Sequence, residues 1–216
     1  MKKNSLRIIA LGSFVLGGFV AMLAGIAPPQ VVAAHPRAAQ SFANGEIHIM
    51  LDPAQSKIQW MLDSTVHTVH GTFAVKKGEL RLDPSTGKAS GEIVADARSG
   101  ESGNSSRDSK MHKEVLESEK FPEVVFRVDH VEGKIQLSGV STVQVHGQFV
   151  LHGAEHELTA PVQVELSADH WKGTGKFSVP FIQWGLKNPS NFLLKVKPDV
   201  EIEMELSGTL QSSPKS

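Results

Sequence analysis

The alternation of apolar and polar residues with a period of two constrains this fold more than any other feature of the sequence. In the clearest segment, four apolar residues alternate with four polar ones: Val200, Ile202, Met204 and Leu206 against Glu201, Glu203, Glu205 and Ser207. Successive side chains of a β-strand point to opposite faces of its sheet, so this pattern predicts a strand buried on one face.

The same alternation recurs along the rest of the chain. The apolar members that we expect to face inward are Ile58, Trp60, Leu62, Leu80, Leu82, Val124, Phe126, Val128, Val143, Val145, Phe149, Leu151, Leu158, Ala160, Val162, Val164, Leu166, Phe177, Val179 and Phe181. Pro161 falls on the outer face, which predicts an edge or a bulge at that point. Eight or more antiparallel strands predict a barrel or a sandwich, and the alternation alone does not choose between them.

One segment breaks the period and predicts a helix. Ser105 and Asp108 have the spacing of a capping box, Met111 and Val115 follow on one face, and Pro122 stops the segment. The sequence therefore predicts one amphipathic helix of about three turns whose apolar stripe covers an open end or face of the sheet.

The N-terminus has the composition of an export segment. Lys2, Lys3 and Arg7 precede an uncharged run over residues 8–27, and small residues end near Ala34. We expect a signal peptide, or a retained anchor, over residues 1–34 and a flexible leader over 35–46. A barrel domain over 47–210 and a tail over 211–216 would follow. Both N-terminal alternatives place the barrel outside the cytoplasm, in the periplasm or the extracellular space.

Charge and composition exclude several functions. The chain has 22 Lys and Arg against 23 Asp and Glu and no cysteine. Without a basic stripe, nucleic-acid binding is not expected. Without cysteine, a disulfide framework, a thiolate metal site and a cysteine nucleophile are excluded. Because no hydrolase, nucleotide-binding or metalloprotease motif occurs either, we expect neither catalysis nor a cofactor.

Histidines leave one alternative open. Cleavage after Ala34 would expose His35 with a free amine, and His152 and His156 flank a turn across which they could converge. A metal-dependent envelope protein using these three residues is therefore the alternative function. His67 and His70 are three apart in a predicted strand and would point to opposite faces.

Several motifs in a fixed order resemble one family. They are Ser56-Lys57-Ile58-Gln59-Trp60, Val69-His70-Gly71-Thr72-Phe73, Arg107-Asp108 with Met111-His112, Phe121-Pro122-Glu123-Val124-Val125-Phe126, and Phe177-Ser178-Val179-Pro180-Phe181 with Trp184-Gly185-Leu186. From about residue 47 to 210 the chain resembles the YceI-like family. The resemblance implies an all-β, eight-stranded antiparallel lipocalin-like barrel with one short amphipathic helix, in an exported protein. It also implies that the interior holds a long isoprenoid or similar lipid. The segment 100–106, rich in Ser and Gly, and the segment 111–116 depart from the usual pattern.

The inward positions supply the candidate ligand contacts. An eight-stranded barrel is just wide enough either to be filled by its side chains or to hold one small ligand. If it is hollow, we expect the ligand to contact Trp60, Phe73, Met111, Val115, Phe126, Phe149, Phe177, Val179 and Phe181, with Trp184 and Phe192 near an entrance. The expected partner is thus a long apolar lipid, with transient membrane contact and oligomeric state left open. The alternative is a packed barrel that acts only through protein contacts.

Overall fold

The computed structural model describes residues 45–136, 139–167 and 169–214, with side chains described through residue 211. The predicted export segment, most of the leader and His35 lie outside the described residues. Among the described residues, no helix has the length and apolar character needed to cross a bilayer.

In the part of the chain that the structure describes, the fold consists of ten strands and one short helical segment. The strands are β1 Gly45–Leu51, β2 Lys57–Asp63, β3 Thr68–Phe73, β4 Val75–Leu82, β5 Ala89–Asp96, β6 Glu123–Glu132, β7 Gly139–Leu151, β8 Ala154–Leu166, β9 His170–Val179 and β10 Val200–Pro214. Helix α1 covers Ser105–Lys110 and continues into a π-helical turn over Met111–Val115. Two single 3₁₀ turns cover Pro53–Gln55 and Ala97–Ser99.

The strands close into an antiparallel ring. Eight strands follow one another in the order β1, β4, β5, β6, β7, β8, β9 and β10, and β10 pairs back onto β1. The register of this closure runs from Gly45 opposite Pro214 to Leu51 opposite Gly208. This arrangement confirms the predicted all-β, eight-stranded barrel with one short helix.

The first half of β10 carries a second strand pair. Residues 201–205 of β10 pair with β2, and β2 pairs with β3, so these two strands continue the lines of β1 and β4. The line breaks at Asp52, whose Oδ1 accepts a hydrogen bond from Ala54 N at 2.9 Å and starts the first 3₁₀ turn. Pro53, which cannot donate to a ladder, makes the same break favourable.

The predicted inward faces are correct for the central strands. Side chains of one parity form a core cluster that includes Val128, Val143, Ala160, Leu206 and Leu210, all less than 10% exposed. A second cluster lies toward the helical segment and includes Val115, Leu151, Val179, Phe181 and Leu186. Burial of one face of each of the eight ring strands therefore favours closure of the ring.

Incomplete pairing of β8 with β9 leaves an opening in the wall of the ring. These strands pair from Val162 opposite Gly175 to Leu166 opposite Trp171, and not beyond. Residues 154–161 of β8 pair only with β7, and residues 176–179 of β9 pair only with β10. Pro161 lies where the pairing with β9 stops, which agrees with its predicted position at a local edge.

Residues 180–186 fill this opening. After β9 the chain turns back through hydrogen bonds from Trp184 N to Pro180 O at 3.0 Å and from Leu186 N to Phe181 O at 3.0 Å. Phe181 and Leu186 are buried at 5% and 4% exposure. Side chains of a loop thus replace a strand pairing in this part of the wall.

The predicted capping box is wrong. The N-cap of α1 is Asn104, whose Oδ1 accepts from Arg107 N at 3.0 Å. Asp108, instead of reaching back to Ser105, accepts a hydrogen bond from Ser102 Oγ. A short polar side chain one residue earlier satisfies the first turn, and Ser105 becomes the first helical residue.

Candidate binding cavity

An apolar cavity of about 650 Å³ lies inside the barrel. Its wall consists mainly of inward side chains from the strands, with Met111, Val115 and Leu116 from the helical segment. This volume falls in the range of about 300–1,000 Å³ typical of sites for small molecules. The barrel is therefore hollow and not filled by its own side chains.

Neighbouring aromatic rings line the wall without closing the space between them. Phe126 and Phe149 are cross-strand partners with ring centroids 6.4 Å apart. Phe149 and Phe177 lie 6.2 Å apart in an edge arrangement. Such tilted arrangements are the favoured geometry for aromatic pairs, so the rings stabilise the wall and leave the interior open.

Most of the residues proposed as ligand contacts lie at the cavity wall. They are Trp60, Phe73, Met111, Val115, Phe126, Phe149, Phe177, Val179 and Phe181. Their contact with a ligand stays a prediction. The other two, Trp184 and Phe192, do not form part of the wall.

Trp184 supports the wall from the segment that fills the opening. Its indole stacks on the imidazole of His156 with centroids 4.1 Å apart and planes 3° apart, and it lies 5.7 Å from the ring of Phe149. Phe192 is 94% exposed in the loop between β9 and β10. Alternation could not place either residue, because both lie outside the strands.

Gly71 allows Trp60 to lie against the neighbouring strand. The two residues are directly opposite each other in β2 and β3, and a Cβ on Gly71 would lie 2.3 Å from the indole ring. Trp60 is 5% exposed and its ring lies 6.5 Å from that of Phe73. Glycine here therefore sets the position of one of the largest side chains of the wall.

A histidine that sequence reasoning missed holds the helical segment over the barrel. His112 Nε2 lies 2.8 Å from Gly100 O, and its Nδ1 lies 3.0 Å from the Oγ of buried Ser118. Gly100 lies under the segment, where a Cβ would come within 2.4 Å of Phe73 and 2.9 Å of Met111. His112 thus joins Gly100 to Ser118. No short sequence pattern predicts a bridge of this kind.

Polar side chains gather at one end of the cavity. Ser64, Asn104, Arg107, Lys110 and Asn191 border the space there. Arg107 is held in place because its Nε donates to Ser102 Oγ at 2.7 Å and its Nη2 to Ser102 O at 3.0 Å. We call this end the mouth of the cavity.

Ion pairs fix the segments around the mouth. The Lys197 ammonium, 2.7 Å from Asp63 Oδ2, holds the pKa of that carboxyl below its ordinary value, and a hydrogen bond from Thr68 acts in the same direction. Lys187, 2.6 Å from Glu114, likewise lowers the pKa of the Glu114 carboxyl. Both pairs join residues 187–197 to other elements of the mouth.

The histidines proposed as metal ligands have separate partners. His152 Nε2 lies 2.6 Å from Glu117 Oε2, and its ring lies 4.4 Å from Phe121. His156 stacks on Trp184 instead. Within the described ranges, no three His, Cys, Asp or Glu side chains are placed to hold one metal ion. His35, the third proposed ligand, lies outside those ranges.

The fold and the cavity together define a lipocalin-like β-barrel, in which antiparallel strands form one closed ring around an apolar interior. The sequence profile of the YceI-like domain matches residues 50–208, and the chain belongs to this family. No sequence among curated proteins matches the chain.

Solved structures share the fold, among them the following two. BcnA of Burkholderia cenocepacia is 16% identical with a TM-score of 0.60, over 74% of this chain and 99% of BcnA. A polyisoprenoid-binding domain from Saccharophagus degradans, implicated in plant cell wall breakdown, is 14% identical with a TM-score of 0.57, over 79% of this chain and 99% of that domain.

Proposed function

We propose that this protein is an exported, non-enzymatic binding protein that holds a long apolar or amphiphilic lipid of the isoprenoid type inside the barrel. The observation that carries the proposal is the mainly apolar cavity of about 650 Å³, whose polar border residues gather chiefly at its mouth. The structural similarity to the polyisoprenoid-binding domain of Saccharophagus degradans supports the same class of ligand.

Hydrocarbon burial alone supplies the required binding free energy. Each buried CH₂ contributes on the order of 0.8 kcal/mol, whereas micromolar affinity corresponds to about 8 kcal/mol. A few five-carbon units therefore exceed this value even after ordering costs. The polar mouth suits a ligand whose headgroup stays at the surface while its chain lies inside.

The protein could serve to carry the lipid or to sequester it, and both roles require that the cavity be occupied. The first experiment therefore tests whether the purified protein contains a lipid. The full chain is expressed in a bacterium, purified without detergent and analysed by native mass spectrometry. We expect a protein mass increased by one lipid, and extraction should release a molecule with a long hydrocarbon chain.

Refilling the emptied protein provides the second measurement. Trp60 and Trp171 line the cavity and Trp184 contacts the ring of Phe149, so tryptophan fluorescence should change on addition of a polyisoprenol. A straight-chain diol too short to fill the cavity serves as the control ligand. Purified protein that carries no lipid and shows no saturable fluorescence change would overturn the proposal.

A further inference from the structure

Two large apolar side chains occupy the tip of an exposed turn beside the mouth. Phe192 is 94% exposed and Leu193 is 84% exposed. The turn is closed by a hydrogen bond from Asn191 N to Leu194 O at 2.8 Å, and Asn191 Oδ1 accepts from the amides of Leu193 and Leu194. The fold therefore holds these side chains in solvent, where large apolar groups have a hydration cost.

A third exposed apolar residue lies on the adjoining loop. Val66 is 70% exposed, and its neighbour Thr65 donates a backbone hydrogen bond to Lys195 O at 2.9 Å. Ser64 and Val196 form a bridge between the same two loops. The loop between β2 and β3 and the loop before β10 thus present their apolar tips as one joined surface.

This surface borders the mouth of the cavity. Ser64 and His67 of the first loop and Asn191, Leu194 and Val196 of the second are part of the cavity boundary. The helical segment completes the border, and Lys110 Nζ lies 3.4 Å from Pro189 O. We define the mouth face as residues 63–68, 104–115 and 187–199.

The mouth face has the opposite charge to the rest of the barrel. The described residues contain 17 Lys and Arg against 23 Asp and Glu, a net charge of −6. The mouth face has a net charge of +2, from Arg107, Lys110, Lys113, Lys187, Lys195 and Lys197 against Asp63, Asp108, Glu114 and Asp199. The remaining described residues therefore have a net charge of −8. Such a charge distribution turns the mouth toward an anionic surface.

We propose that the mouth face docks on an anionic lipid bilayer, with Phe192 and Leu193 inserted among the lipid headgroups. Convex apolar tips flanked by cations match the chemistry of an interface that takes up apolar side chains and attracts Lys and Arg. A lipid could then pass between the bilayer and the cavity without crossing water. The transfer step rests on the proposed function, whereas docking itself can be tested separately.

The absence of cysteine permits a site-specific measurement. Phe192→Cys is labelled with an environment-sensitive dye, and Val140→Cys, 55% exposed at the start of β7 and at the opposite end of the barrel, is labelled in the same way. The labelled full chains are mixed with vesicles of phosphatidylcholine and phosphatidylglycerol. We expect a blue shift and protection from an aqueous quencher at position 192 only.

Variants then test the two components of the surface. All of these variants retain residues 1–44, so any vesicle binding through the uncharged N-terminal run is common to all samples. Phe192→Ser with Leu193→Ser should weaken vesicle binding by at least about tenfold, against no change for Val140→Ser. Lys195→Ala should weaken it by about fivefold, against no change for exposed Lys134→Ala, and added salt should remove this difference.

The outcomes separate docking from ligand binding. Labels that respond equally at positions 192 and 140, or no response at 192, would overturn docking through the mouth face. So would equal binding by the serine variant and the unmodified chain. A protein complex formed through Phe192 without any vesicle response would identify a protein partner and would also overturn the proposal. Lipid uptake measured in solution without vesicles reports on the proposed function independently.

Discussion

The imidazole of His156 lies flat on the indole of Trp184, with centroids 4.1 Å apart, where β8 and β9 separate. His156 is the cross-strand partner of Phe149, so the stack continues the aromatic wall across the opening. The barrel is closed on this side by ring contacts instead of backbone hydrogen bonds. Contacts of this kind open at lower free energy than a strand ladder.

We expect Trp184→Ala to open this part of the wall. Loss of a half-buried indole should lower the free energy of unfolding by about 1–3 kcal/mol, and release of a bound fluorescent lipid should become faster. Urea denaturation and stopped-flow release measure the two effects. Trp184→Phe keeps an aromatic ring against His156. Its stability and its release rate should therefore lie between those of Trp184→Ala and those of the unmodified chain. Release rates that do not differ between Trp184→Ala and the unmodified chain would show that the opening is not a route for the ligand.

Filling the cavity should prevent binding. Val145 faces the cavity from the middle of β7. Val145→Trp adds a large ring to the interior, and we expect at least a tenfold loss of lipid affinity, equivalent to about 1.4 kcal/mol. Val140→Trp places the same ring on the exposed surface and should bind normally. Circular dichroism checks that both variants are folded, and an unchanged affinity in folded Val145→Trp would exclude this part of the cavity as the site.

Acid should loosen the loop before β10. The pKa of Asp63 is lowered in the folded protein, chiefly by the hydrogen bond from Lys197. The unfolded chain therefore binds more protons than the folded chain as the pH falls toward about 4. The stabilisation that the ion pair gives at neutral pH is lost as the pH falls further. Protection of residues 188–199 from hydrogen exchange, measured relative to the intrinsic exchange rate at each pH, should fall between about pH 5 and pH 3.

A matched pair of variants identifies the group responsible. Asp63→Asn should make this exchange faster at neutral pH and remove most of its acid dependence. Asp129→Asn changes an exposed carboxyl that has no ion pair among the described residues, and it should leave the profile unaltered. An acid dependence that persists in Asp63→Asn would assign it to another carboxyl.

Removal of His112 should destabilise the helical segment. His112→Ala leaves the Gly100 carbonyl and the buried Ser118 hydroxyl without their imidazole partner. We expect a loss of about 1–3 kcal/mol in the free energy of unfolding. His170→Ala, which removes an exposed ring paired with Asp169, should change it by less than about 0.5 kcal/mol. Equal effects of the two substitutions would contradict the bridging role of His112.

The alternation of apolar and polar residues predicted the strands, because a residue in a strand has only two possible orientations. It placed Phe126, Phe149 and Phe177 inward correctly because burial of one face fixes the parity of a whole strand. It could not locate the opening in the wall, since β8 alternates just as regularly where β9 is absent. Only Pro161 hinted at that position.

The parts of the site outside the strands were harder to predict. Trp184 and His112 act through partners set by the path of the chain, and no period relates them to those partners. The π-helical turn over Met111–Val115 has no simple signature in the sequence either. The motif order supplied the barrel and the expectation of an internal ligand, but not where the mouth lies or which charges surround it.

Closure by β10 determines when the cavity of the barrel becomes enclosed. Residues 208–214 complete the ring by pairing with residues 45–51, so the first and last strands must meet across almost the whole domain. Such distant pairings form late in folding. A partly synthesised chain that lacks β10 would have an open sheet and no enclosed interior, so the proposed ligand could be enclosed only after the final strand is made.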